Sequence, residues 1–291
     1  MNDLGARGEP MSRHTSLHIG GPADYFVRVR SEDDLVGAVR VAREAELPTF
    51  MLGGGTNLLV ADAGIRGVVL ANAWSDVSVH GTVIDAASGT PLASVAAAAA
   101  RAGIVGLEWM ATVPGTVGGA VHGNAGAFGS DTASAIIDAR LLDLNGDMWN
   151  ASVADLGYSY RTSALQHTPT IVVRARFHGD PGDRATAVRR IKEIANERIA
   201  KQPLTQPNTG SIFRNPPGDH AGRLIEAAGL KGARIGDAMV SEKHANFIVN
   251  VGAARAVDVR ELMRRCQAEV KARFEVDLVP EVELVGEWDA S

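Results

Sequence analysis

Three consecutive glycines, Gly53, Gly54 and Gly55, break the segment LGGGTNLLVAD (residues 52–62) between two apolar runs. Residues without side chains weaken a strand and allow backbone approaches that a Cβ forbids. The preceding strand PTFML must end there, and the carboxyl end of a strand in an open α/β sheet is where ligands are received. Successive backbone N–H groups in such a loop can offset an anion's charge without a lysine, and Thr56 and Asn57 add hydroxyl and amide donors. The loop is neither a phosphate loop closing on Gly-Lys-Ser/Thr nor the spaced G-x-G-x-x-G of dinucleotide folds. Taken alone, it is equally a tight turn.

A second cluster narrows the choice. VPGTVGGAVHGNAGAFG (residues 113–129) places Gly115, Gly118, Gly119, Gly123, Gly126 and Gly129 in a stretch without Asp, Glu, Lys or Arg. Glycine makes up 32 of 291 residues, about 11% against an average of about 7%, and the excess is clustered. No Gly-X-Y period runs through it, so a collagen-like chain is excluded. Bare backbone of this kind suits a large flat apolar ring whose polar edge meets backbone N–H groups. A flavin dinucleotide fits both segments, with its pyrophosphate on the first loop and its isoalloxazine on the second.

The first 70 residues predict a βαβ unit. ADYFVRVR is extended and ends at Arg30; Ser31, with Asp34 three residues on, opens a helix with Leu35, Val39 and Ala42 on one face; PTFML is the next strand. VSVHGTVIDAASG alternates about His80-Gly81 and ARLLDLNGDMWNAS about Asn145-Gly146, which predicts antiparallel hairpins. An alanine-rich helix from Pro91 to Arg101 lies between them. After TIVVRARFH a helix continues to about Lys201, with Val188, Ile191, Ile194 and Ala195 directed inward. KQPLTQPNTG is then a linker or a shaped loop. The tail holds a strand ANFIVNVG, a helix with Cys266 in line with Val259, Leu262 and Val270, and a closing strand PEVELVG. The expected fold class is α+β, in three parts: 1–72, 73–195 and 196–291.

Composition removes several functions. The net charge of −5 is spread along the chain without blocks, which argues against binding to nucleic acid or a membrane surface. No basic-then-apolar leader and no run of roughly 18 to 20 apolar residues is present, so a cytoplasmic protein is expected. One cysteine makes no internal disulfide, its helical spacing reads as a buried apolar group, and no Cys/His cluster has metal-ligand spacing. No metal is expected.

TSLHIGGPADYF, LGGGTNLLV, VPGTVGGAVHGNAGAFG, YSYRTSAL, GSIFRNPPGDHAGRLIEAAGLKGARIG, VSEKHANFIVN and PEVELVG, in this order, closely resemble the UDP-N-acetylenolpyruvoylglucosamine reductases, flavoenzymes of peptidoglycan precursor synthesis. The resemblance runs from about Thr15 to Gly286 and fits the shorter subtype, without the tyrosine-bearing insertion that long forms use to cover substrate. His14 stands where the family commonly has Asn, and Thr56 where Ser is usual. The resemblance implies a two-piece FAD-binding domain of the vanillyl-alcohol-oxidase type and a smaller α+β substrate domain. FAD is implied to be non-covalent, since the first loop has no tether histidine, and NADPH to be the co-substrate.

The same resemblance assigns residues. FAD is implied to lie on Gly53, Gly54, Gly55, Thr56, Asn57 and Leu58, and on Val113, Pro114, Gly115, Gly118, Gly119, Asn124 and Gly126. Arg161 resembles the arginine that pairs with the substrate carboxylate as a fork, Ser211 the proton donor, and Glu281 the catalytic glutamate. Glu281 is implied to hold the enol oxygens or relay the proton, with burial raising its pKa. Glu283 shares its side of an extended strand, and only motif position selects Glu281. Gly210, Arg214, Asn215, Lys243 and His244 match positions lining the nucleotide-sugar pocket or meeting the nicotinamide cofactor. The sequence is compatible with a monomer and leaves oligomeric state open. The alternative enzyme is an FAD-dependent oxidase or dehydrogenase of small hydroxy acids or sugar lactones on the same fold.

Overall fold

The computed structural model describes residues 5–288. The chain forms two compact units that interleave in sequence. The first comprises Met1–Ala6, Tyr25–Gly54 and Gly67–Arg198; the second comprises Arg7–Asp24, Gly55–Arg66 and Ile199–Ser291. The first glycine loop is thus shared, with Gly54 ending one segment and Gly55 opening the next. The strands Pro22–Val29 and Ile65–Asn72 also carry the chain from one unit to the other.

In the first unit, Ser31 caps the helix Glu32–Glu44 by accepting from the Asp34 N–H, and Leu35, Val39 and Ala42 are buried on one face. They pack with Val29, Val68, Leu70 and Val173. The strand Thr49–Leu52 pairs in parallel with Val68–Ala71 rather than beside the opening strand, so a third strand is inserted into the expected βαβ arrangement. Both hairpins form. Val77–His80 pairs antiparallel with Val83–Ala87, and Ile136–Asp143 with Met148–Ser152. With Thr170–His178 between them they make a five-stranded antiparallel sheet. Its inner face buries Ile84, Ala139, Leu141 and Phe177 against the alanine-rich helix Leu92–Arg101 and the short helix Val117–Gly123. Small alanine side chains let that helix lie close to the sheet.

The helix Arg184–Lys201 keeps most of the expected inward face, with Ile194 buried and Ile191 and Ala195 half-buried, and departs from it at Val188. Ala187 and Ile194 are buried, whereas Val188 is 36% exposed. A helix this polar fixes its rotation weakly by apolar pattern, and one residue of phase turns Val188 to solvent.

The second unit is built on the helix Ala256–Phe274, which buries Val259, Leu262, Met263, Cys266 and Val270. Burial raises the Cys266 thiol to about 12, so it is a packing group and not a nucleophile. Asp62 accepts from the first two N–H groups of this helix, Ala256 at 2.8 Å and Val257 at 3.1 Å, a cap supplied from far away in sequence. Arg234–Ile235, Ala238–Val240 and Ile248–Asn250 form a small antiparallel sheet. Leu58–Val60 pairs in parallel with the closing strand Glu283–Val285. The early segments belong here because they are hydrogen-bonded in: Ser16 Oγ donates to the Asn208 carbonyl at 2.7 Å, and Asn250 Nδ2 to the Leu17 carbonyl at 3.1 Å.

Candidate active site

In the first unit the site residues gather around the helix Val117–Gly123. Thr116 is its N-cap; the Val117 and Gly118 N–H groups donate to the carbonyls of Thr90 and Ser88, and Gly119 N–H to Thr116 Oγ1. The helix ends at Asn124, whose φ of 45° is left-handed and whose side chain is buried. Asn124 Nδ2 donates to the Ser159 carbonyl at 2.8 Å, and its Oδ1 accepts from Ala133 N–H at 3.0 Å. Asn124, expected at the cofactor, therefore holds two loops in place.

The YSYRTS loop is fastened to the same segment. Tyr158 Oη donates to the Val121 carbonyl at 3.2 Å and Ser163 Oγ to the His122 carbonyl at 2.6 Å. Ser159 and Thr162 exchange backbone hydrogen bonds of 3.0 Å across a turn whose central residues are Tyr160 and Arg161. Arg161 occupies the left-handed region at φ 57°, which costs a non-glycine residue of the order of 1 kcal/mol and is found where function holds it. Its Nη2 donates to the Gly126 carbonyl at 2.7 Å, and its guanidinium lies 5.3 Å over the Tyr160 ring. Both contacts fix the direction of the fork.

Several glycines are explained by the protein's own packing. A Cβ on Gly53 would lie 2.7 Å from Thr116 Oγ1, which is where the two glycine segments meet. One on Gly118 would lie 3.0 Å from Ser88 Cβ, and one on Gly126 would lie 2.5 Å from the Ser130 carbonyl oxygen. In the second unit, Gly55 has φ 62°, and its Cβ would lie 1.9 Å from the His14 carbonyl oxygen. Gly54 and Gly119 are exposed, Gly115 has φ 118°, Val113 is half-buried and Pro114 exposed. Among the described residues, the backbone N–H groups of Gly53, Gly54 and Gly55 donate to no protein acceptor. An uncharged, side-chain-free loop with such donors suits a pyrophosphate, so the residues present fit FAD.

In the second unit, Ser211 and Glu281 come onto neighbouring segments. Gly210, at φ 79°, donates its N–H to Asn208 Oδ1 at 2.9 Å and sets up the bend that leads into Ser211. Ile212 N–H then donates to the Asn246 carbonyl at 2.9 Å, and Glu281 N–H to the Ile212 carbonyl at 2.8 Å. Ser211 and Glu281 are both half-buried. Asn57 Nδ2 donates to the Glu281 carbonyl at 3.0 Å, Thr56 is half-buried, and Leu58 is buried opposite Glu283 in the parallel pair.

The outer residues divide. Arg214 continues the Ser211 segment, its N–H donating to the Val279 carbonyl at 2.9 Å. Asn215 is exposed, and its Oδ1 accepts from Ala221 N–H at 3.1 Å where the helix Ala221–Ala227 begins. Lys243 is exposed, with Nζ on the Ile199 carbonyl at 2.5 Å. His244 is half-buried, accepts from Asn246 N–H at Nδ1 (3.2 Å), and meets the Phe247 ring edge-on at 4.9 Å. Burial, reinforced by the charge of Lys231, lowers its pKa from the ordinary 6.5, so the neutral ring with its proton on Nε2 is favoured.

Sequence reading missed Asn246. It lies in an otherwise apolar stretch and is 3% exposed, and it binds Phe213 twice: Oδ1 accepts from its N–H at 3.0 Å and Nδ2 donates to its carbonyl at 2.8 Å. A buried polar residue inside an apolar stretch must find partners, here in the turn before the strand Ile248–Asn250, and that was the available signal. No group of three or more His, Cys, Asp or Glu among the described residues could hold a metal, and no helix there is long and apolar enough to cross a membrane.

Residues 23–152 match the FAD binding domain family, and residues 202–285 match the family described as UDP-N-acetylenolpyruvoylglucosamine reductase, C-terminal domain. Fold, glycine segments and these two matches define an FAD-dependent oxidoreductase with a separate C-terminal domain. The curated UDP-N-acetylenolpyruvoylglucosamine reductase 2 of Symbiobacterium thermophilum is 46% identical over 282 residues, covering 96% of this chain and 92% of that protein. The reductase of Caldanaerobacter subterraneus is 44% identical, covering 96% and 93%. The crystal structure of UDP-N-acetylenolpyruvylglucosamine reductase from Thermus caldophilus superposes with a TM-score of 0.83 at 36% identity, covering 96% of this chain and 99% of that one. The chain belongs to the UDP-N-acetylenolpyruvoylglucosamine reductase family. The alternative reading as an oxidase or dehydrogenase of small hydroxy acids is not favoured, because these relatives align along nearly the whole chain.

Proposed function

We propose that the protein reduces the enolpyruvyl ether of UDP-N-acetylglucosamine to the lactyl ether, giving UDP-N-acetylmuramate, with NADPH as the reductant. The observation that carries the reading within the structure is the hydrogen bond from Glu281 N–H to the Ile212 carbonyl, which sets the backbone of Glu281 beside the residue following Ser211. The whole-chain identity to named reductases supports the substrate. Non-covalently held FAD would supply the two-electron chemistry that links NADPH to the enolpyruvyl double bond. Gly53, Gly54, Gly55 and Thr56 would hold its pyrophosphate, and Gly115 and Gly119 would present backbone to its ring.

The chain's own residues manage charge and proton. Arg161 pairs with the substrate carboxylate, and the neighbouring carbon that bears this carboxylate and the ether oxygen takes the charge developing as the double bond is reduced. Ser211 Oγ gives its proton to that carbon; a hydroxyl is a weak acid, so the step depends on a strongly basic acceptor held in place. Glu281 holds the enol oxygens or returns a proton toward Ser211. Arg214 and Lys243 supply positive charge for the nucleotide diphosphate, while Gly210 and Asn215 shape that pocket. The division into an FAD-binding part (1–72 and 73–195) and a substrate part (196–291) belongs to this proposal, as does the cytoplasmic location.

The test is anaerobic. NADPH should bleach the bound flavin, and the enolpyruvyl nucleotide sugar should restore its colour. Bleaching without restoration by that substrate would overturn the reading.

A further inference from the structure

We infer that Asn57 is a positioning residue for Glu281, acting through its side chain. The inference rests on the proposed role of Glu281. In the parallel pair, Leu58 lies opposite Glu283. A residue in a parallel ladder donates its N–H to the residue before its opposite number and accepts at its C=O from the residue after. Glu283 obeys this, donating to the Asn57 carbonyl at 3.0 Å. One step back, the same pattern would have the Asn57 backbone N–H donate to the Glu281 carbonyl. The Asn57 side-chain amide makes that bond instead, at 3.0 Å.

Two consequences follow from this substitution of side chain for backbone. The peptide groups of Glu281 leave the ladder: the N–H goes to Ile212, beside Ser211, and the C=O goes to Asn57. The backbone of Glu281 therefore ties the proton donor's segment to the residue that ends the glycine loop. The Asn57 backbone N–H, released from the ladder, has no protein acceptor among the described residues, and neither has that of Gly55 two residues before it. One side chain thus fixes where the backbone of the glutamate sits. Asn suits the position because its amide lies at the reach of a backbone N–H and donates without charge.

Asn57→Ala and Asn57→Asp in the full-length flavoenzyme test this. Reoxidation by the enolpyruvyl nucleotide sugar should slow at least tenfold more than reduction by NADPH, and the loss should fall on kcat rather than KM. Asn57→Asp keeps the shape but turns a donor into an acceptor facing the Glu281 carbonyl, so it should be the more severe; a role in filling space predicts the reverse order. Combined with Glu281→Gln, Asn57→Ala should add less than threefold to the single change. In FAD-free protein, amide hydrogen exchange of a peptide covering 279–285 should rise at least tenfold in Asn57→Ala. If both variants fail to fold, the wild-type protein still serves: its Asn57 side-chain amide protons should exchange slowly in NMR. Unprotected Asn57 amide protons, equal slowing of both half-reactions, additive losses with Glu281→Gln, or Asp milder than Ala would each overturn the inference. A wild-type enzyme that the enolpyruvyl substrate does not reoxidise would overturn the function itself, a distinct result.

Discussion

Arg161 donates from Nη2 to the carbonyl of Gly126 at 2.7 Å, from a left-handed backbone position within a turn fastened to the second glycine segment. The charge proposed to meet the substrate carboxylate is thus aimed by the segment proposed to carry the flavin ring. Arg161→Lys keeps the charge and loses both the planar fork and this bond. Turnover should fall by about tenfold or more, roughly 1.4 kcal/mol or more of barrier. Steady-state kinetics at wild-type level in that variant would remove the assigned role.

The glycines of the first loop should separate into two kinds. Gly54 is exposed, and Gly54→Val should abolish FAD binding while leaving the melting temperature of the FAD-free protein close to wild type. Gly55 has φ 62° and a virtual Cβ 1.9 Å from the His14 carbonyl oxygen, so Gly55→Ala should destabilise the fold itself by about 2 kcal/mol or more. Flavin absorbance and thermal melts, read on both variants, distinguish the two effects. Full FAD occupancy in Gly54→Val would end the cradle argument.

Ser211→Ala separates the half-reactions. Flavin reduction by NADPH needs no protonation of the sugar substrate and should stay near normal. Reoxidation should slow by roughly 10² to 10⁴, about 3 to 5 kcal/mol of barrier. A turn-forming role alone predicts instead a stability loss of about 1 kcal/mol with both steps little changed. Rapid-mixing absorbance with each substrate in turn decides between them.

His244 should make stability depend on pH on the acid side. Burial lowers its pKa below 6.5, and the neutral ring accepts from Asn246 N–H. The unfolded chain therefore binds the proton more readily than the folded one. The histidine's contribution is complete above pH 6.5, declines as pH falls below that value, and levels off below the folded-state pKa. His244→Gln keeps a polar group without the titration, so its melting temperature should fall less than wild type between pH 7 and 5. Parallel curves would show that other groups set the acid limb.

Local chemistry made much of the chain legible. Ser31 with Asp34 forms the helix start, one hairpin turns at Gly81-Thr82, one residue beyond the expected His80-Gly81, the other turns about Asn145-Gly146, and Cys266 packs with Val259, Leu262 and Val270, because capping, turn geometry and strong apolar periodicity act over a few residues. Where periodicity was weak it misled, as at Val188. The motifs marked Arg161, Ser211 and Glu281, but alternation could not choose between Glu281 and Glu283. Only the tertiary structure could state what holds each of them. Gly126 orients Arg161, Asn57 and Ile212 anchor Glu281, and Asn246 braces the Ser211 segment from residues 33 positions away at Phe213. It also joined Arg7–Asp24 and Gly55–Arg66 to Ile199–Ser291. A hydrogen bond between distant segments leaves no periodic trace in either one, so the sequence determined which residues could do the chemistry, and long-range backbone pairing decided which of them stand together.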